Sequence, residues 1–96
     1  VVELALNEFN SECNRQIDEM ISGFEKENFK EVLNILHTLK GNAGTLGVFE
    51  MASFAENFEK ELKQKKYHIF DDAIVKLKEL HDGFKADLKF LLNKND

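Results

Sequence analysis

His37 is the side chain in this sequence best suited to covalent chemistry, because of the residues that follow it. An imidazole titrates near neutrality and offers a nucleophilic nitrogen without strong activation. Lys40 comes one helical turn later, Gly41 directly after it, and Gly44 a further turn on. On a helix of 3.6 residues per turn, these four positions share one side. Phe29, Val32, Leu36, Leu39, Ala43 and Leu46 cluster roughly a third of a turn away. The imidazole therefore stands beside the apolar stripe of its own helix and faces outward.

Two glycines on one exposed helical face need a cause, since each costs roughly 1 kcal/mol of helix stability relative to Ala. Bare backbone there lets another protein's surface come close to the ring. Lys40 holds an ammonium within reach of anything attached to the imidazole. A nucleophile, a cation and a cleared approach suit a dianionic phosphoryl group. Such a group passes through a loose transition state that asks mainly for positioning and charge stabilisation.

The elements that must hold this constellation are helices. Val2, Leu6, Phe9, Cys13, Ile17, Met20 and Phe24 recur at three- and four-residue steps and predict a first amphipathic helix. Gly23 is a helical glycine tolerated near its end at some cost. The pattern breaks over residues 25–28. Asn28 with Glu31 is a capping-box signal for the second helix, which carries His37. Gly44 and Gly47 mark its exit, with Gly47 suited to a left-handed cap. Met51, Phe54, Ala55, Phe58 and Leu62 form the apolar face of a third helix. Residues 65–68 are a connection. Asp71 and Asp72 suit the positive end of a fourth helix, with Phe70, Ala73, Ile74, Leu77, Phe84, Leu88 and Leu91 as its buried stripe. Four amphipathic helices with short connections imply an all-α, antiparallel up-down four-helix bundle over residues 1–96. No one of them is stable alone on propensity, so a shared core must hold them.

Composition supports this and excludes other classes. The chain has 96 residues, no Pro and five Gly, and it is rich in Glu, Lys, Leu, Phe and Ala. Apolar residues make up 43% and charged residues 32%, the balance of a folded domain and not of a disordered segment. With no Trp, the nine Phe must supply most of the large buried surface. A net charge of −5 argues against nucleic acid as a partner. Lys63, Lys65 and Lys66 are a short basic cluster near Glu59 and Glu61 that looks like a solvated helix end. No apolar run approaches the ~20 residues that span a bilayer, so no membrane contact is expected.

The other candidates for chemistry are weaker. His81 falls in the middle of the fourth helix's apolar stripe and lacks a following Lys-Gly pair, which makes it a core or rim histidine. His68 lies in a connection and has no assigned role. Cys13 is the only cysteine and sits at an apolar position, so neither an internal disulfide nor a multi-cysteine metal site can form. No pair of His or Glu sits at a helical ligand spacing with His37, and no metal is expected. The glycines do not follow a strand, and the Gly-Lys order is wrong for a nucleotide-binding loop.

The stretch from His37 through Gly47 resembles the signature of histidine-containing phosphotransfer (HPt) domains. His37, Lys40, Gly41, Ala43, Leu46 and Gly47 match as they stand, and the similarity runs on through Leu62. The resemblance implies a phosphoryl group on the outer ring nitrogen of His37, with Lys40 assisting its charge. Gly41, Gly44 and Leu33 would belong to the surface that receives a partner. It also implies a Gln or Glu on the next helix, hydrogen-bonded to the other ring nitrogen, and here that residue is Glu59. The partners implied are response-regulator receiver domains, which carry their own Mg²⁺. The domain itself would need no cofactor. It would be a covalent phosphocarrier with no nucleotide site and no autokinase activity, an enzyme only in a loose sense. Its expected place is a multistep relay in the cytoplasm, between two receivers. The same signature occurs in the substrate domain of chemotaxis-type histidine kinases, which leaves a kinase as an alternative partner. An inert helical interaction module is the third alternative. The start at Val1 and not at Met suggests excision from a larger multidomain sensor kinase.

Overall fold

The apolar residues wind into four helices: α1 (Val2–Glu25), α2 (Phe29–Thr45), α3 (Phe49–Lys63) and α4 (Phe70–Asn93). This computed structural model describes the backbone of residues 2–93 and the side chains of residues 3–91. There is no strand among the described residues, and the all-α bundle expected from the periodicity is borne out. Val2, assigned to the apolar face of α1, lies outside the described side chains.

Each helix packs on its neighbours in the chain, and α4 closes the ring by packing on α1. Phe9 meets Phe84 and Phe24 meets Phe70, so α1 and α4 run in opposite directions. The core is built from the expected stripes. Cys13, Met20, Val32, Leu36, Leu39, Ala43, Met51, Ala55, Phe58 and Leu77 are all fully or almost fully buried. A buried Leu or Phe contributes roughly 1.5–3 kcal/mol of transfer free energy, which is what holds helices too short to persist alone. No helix among the described residues is long and apolar enough to cross a membrane.

The expected stripe of α4 needs one correction. Leu91 is 53% exposed, as are Phe90 at 69% and Leu4 at 63%. The reason is length. α1 and α4 have 24 residues each, whereas α2 has 17 and α3 has 15. Beside the turn between α2 and α3 lie Phe9 and Phe84, so α1 and α4 extend past the shorter pair and leave Leu4, Phe90 and Leu91 with little to cover them.

The opposite end is closed by aromatic rings. Phe24 stacks on Phe70 with centroids 3.8 Å apart, and Phe29 stacks on Tyr67 at 4.2 Å. Tyr67 belongs to a single 3-10 turn, Tyr67–Ile69, that leads into α4. Part of the segment expected as plain connection is thus ordered by stacking. Gly23 is buried here too, and a Cβ on it would lie 3.2 Å from Val32 Cγ2. Its absence of a side chain lets α1 and α2 approach, a packing reason that helical propensity alone does not supply.

The exits of α1, α2 and α3 use the same device. The N–H of Asn28 bonds to Gly23 O, that of Val48 to Ala43 O, and that of Lys66 to Glu61 O, each closing the last turn around one left-handed residue. Those residues are Glu27 (φ 58°), Gly47 (φ 80°) and Lys65 (φ 62°). Only the second is glycine. The Asn28 cap forms as expected on its acceptor side, with Glu31 N at 3.4 Å. The Glu31 carboxylate, however, takes the Asn28 side-chain amide at 2.8 Å, because the Asn28 N–H is already used by Gly23.

His81 is buried at 2% exposure between α4 and α1. Its Nε2 lies 2.7 Å from Asn10 Oδ1. An amide oxygen only accepts, so Nε2 carries the hydrogen. Burial lowers the His81 pKa below its ordinary 6.5, and Lys85 lowers it further. The Asn10 bond and Asp82 only partly offset this. Asp18 and Lys78 line the same groove.

Two outcomes are expected. Lys65→Gly removes the left-handed penalty of a Cβ and should stabilise the fold by about 0.5–1 kcal/mol after the entropy of glycine is subtracted, measured by urea unfolding. For His81, the unfolded chain takes up a proton more readily than the folded one. Its contribution is complete above the ordinary value of 6.5 and falls away as the pH drops below it. Unfolding midpoints of wild type should therefore decline as the pH falls below 6.5, and those of His81→Gln should decline less.

Candidate functional site

The site lies where α2 meets α3. His37 sits midway along α2 with its ring 70% exposed, beside and not among the buried Leu36 and Leu39. Lys40 is one turn further on the same side and partly buried. On α3, the apolar positions Ala55, Phe58 and Leu62 turn inward and carry Glu59 with them to the helix interface. Glu59 is 5% exposed.

A buried carboxylate is costly unless its charge is paired, and this one has three partners. Lys40 Nζ donates to Glu59 Oε1 at 3.2 Å. His37 Nδ1 lies 3.4 Å from Oε2, and Lys63 Nζ lies 3.5 Å from the same oxygen. The expected bond between Glu59 and His37 is therefore a contact, but a long one. The carboxylate is drawn toward two ammonium groups as well as the ring. Burial pushes the Glu59 carboxyl up; the hydrogen bond and charge of Lys40, with the charges of Lys63 and His37, outweigh it and leave the pKa below its ordinary 4.5. Glu59 is thus an anion at neutral pH.

That fixes the ring. A carboxylate can only accept, so the ring nitrogen facing it carries the hydrogen. In the neutral form of this exposed ring, Nε2 at the other edge keeps the lone pair. The arrangement can present a neutral imidazole nitrogen to an electrophile and place an ammonium beside it.

The residues expected at the site fall into three groups. His37, Lys40 and Glu59 are brought together. Gly41 is exposed and Gly44 half-buried on the same helix, and a Cβ on either would meet nothing within 4 Å. No packing within this fold explains their lack of a side chain. Leu33 is half-buried and packs part of its surface against the core, so it offers only an edge. Lys63 lies in the last turn of α3 and is 61% exposed, as expected of a solvated helix end, and its ammonium also reaches Glu59. The i, i+4 spacing from Glu59 was its only sequence signal.

A sequence profile described as Hpt domain matches residues 5–87. The chain belongs to the Hpt domain family. Comparison with curated proteins and with solved structures gave no significant match. The family's chemistry is histidine phosphotransfer in two-component signalling, and Hpt domains interact with receiver domains.

Since nothing in the fold contacts the missing Cβ of Gly41, Gly41→Ala should stabilise the protein by about 1 kcal/mol. Urea unfolding checks this, and a destabilised variant would mean that the glycine has a structural task.

Proposed function

We propose that His37 is the phosphoacceptor of a relay, taking a phosphoryl group from the aspartyl phosphate of one receiver domain and passing it to an aspartate of another. The observation that carries this reading is the exposed ring whose Nδ1 is turned to the buried, ionised Glu59.

In the forward step the Nε2 lone pair attacks phosphorus, and the P–O bond to the receiver's aspartate breaks. The aspartate leaves as a carboxylate. The product is a phosphoimidazolium that keeps its Nδ1 hydrogen, and Glu59 balances the positive ring. Lys40 stands where it can meet the phosphoryl oxygens. A Mg²⁺ ion would be brought by the receiver's acidic pocket. The return step is the reverse with a second receiver. Gly41 and Gly44, bare for no internal reason, clear the approach, and the exposed edge of Leu33 extends the same face.

The test is incubation with a receiver domain charged by a small phosphodonor. Wild type should acquire acid-labile, base-stable phosphate, and His37→Gln should acquire none. Gly41→Gln should slow transfer by about tenfold or more through obstructed docking, with the fold intact by circular dichroism. Phosphate appearing on His37→Gln at the wild-type level would refute the assignment.

A further inference from the structure

Lys63 is the part of the site with no role in the mechanism so far. It is mostly exposed, at 61%, yet its ammonium lies 3.5 Å from an oxygen of a carboxylate only 6% exposed. Exposed lysines ordinarily gain little from holding one geometry. This one points to the single buried anion of the site.

The charges explain why a second ammonium is useful. With a neutral ring, Glu59 carries −1 and has two lysines, Lys40 on Oε1 and Lys63 on Oε2. A phosphoryl group on Nε2 brings two negative charges to the exposed edge of the ring, beside Lys40. Lys40 can turn to those oxygens only by loosening its hydrogen bond to Glu59. Were it the sole ammonium on Glu59, leaving would give up the bond on Oε1 and leave the buried carboxylate only its long, 3.4 Å contact with the ring, which is unfavourable for a charge held out of water. Lys63 approaches from α3, on the other oxygen, and does not have to move.

We propose that Lys63 is a positioning residue for phosphotransfer: it keeps Glu59 paired while Lys40 is handed from the carboxylate to the phosphoryl group. This rests on the phosphocarrier assignment of His37. Lys63 acts through Glu59, and so touches neither the phosphoryl group nor the receiver. The proposal makes one demand that a merely structural lysine would not. Removing Lys63 must weaken phosphoryl retention only while position 59 is a carboxylate that grips Lys40.

The experiment measures the equilibrium between a charged receiver domain and the intact protein, for wild type, Lys63→Gln, Lys63→Arg, Glu59→Gln and the Glu59→Gln/Lys63→Gln pair. Thermal unfolding is recorded for each. Lys63→Gln should shift phosphate back toward the receiver by about three- to tenfold, the range of coupling between charges in contact. Lys63→Arg should restore the wild-type value. In the Glu59→Gln background, Lys63→Gln should add no further shift, because a neutral amide carries no charge for Lys63 to keep paired. An unchanged equilibrium in Lys63→Gln would overturn the proposal, and so would an equal loss in both backgrounds. A loss that merely follows a lowered melting temperature and is not rescued by arginine would also overturn it. Wild type that fails to label on His37 at all would instead sink the carrier assignment, so the two failures are distinguishable.

Discussion

The site depends on one anion placed where anions do not ordinarily go. Glu59 is carried into the α2–α3 interface by the inward face of its own helix, and the cost of burying it there is offset by what surrounds it. That cost makes the neighbourhood specific. The carboxylate draws Lys40 from α2 and Lys63 from α3, and it selects the tautomer of His37 by being able only to accept. A glutamine at the same place could donate or accept and would define the ring less sharply. The electrostatics of the site thus follow from burial, which follows from the apolar residues on either side of position 59.

The bundle supplies the rigidity that this requires. Stacked rings from α1, α2, the 3-10 turn and α4 close one end, and the residue lacking a side chain at position 23 lets the first two helices meet. Met51 and Phe58 seat α3 in the core. The backbone positions of residues 37 and 59 are therefore set by packing some distance from the ring. Only the long side chains of the two lysines are left free to adjust, and they are the groups whose charge must respond if a dianion arrives.

Much of this was legible in the sequence. Three- and four-residue apolar steps identify the helices, because one face must be buried whatever the partner. The outward placement of His37 follows from the same periodicity. Other features were not legible, for physical reasons. Left-handed exits at Glu27 and Lys65 carry no glycine to announce them, since the hydrogen bonds of the closing turn outweigh the backbone penalty there. Leu91 fits the stripe of α4 yet has no helix to meet, because periodicity reports a face and not how far the neighbours extend. Lys63 looks like any lysine at a helix end. Its meaning depends on the depth of Glu59, and depth is a property of two helices together, invisible in either one. The asparagine that pairs with His81 lies on a different helix and was hidden in the same way.

The ring's orientation also constrains how a carrier of this kind can be used in time. With one edge turned to Glu59, a single nitrogen faces outward, and in the proposed relay donor and recipient would both come to it. Two folded domains cannot occupy the same few square ångströms of α2. In that relay, charging and discharging would be separate visits, with the phosphorylated protein as a free species between them. In steady state such a carrier shows double-displacement kinetics, with parallel reciprocal plots, and an excess of either uncharged receiver inhibits by occupying the shared face.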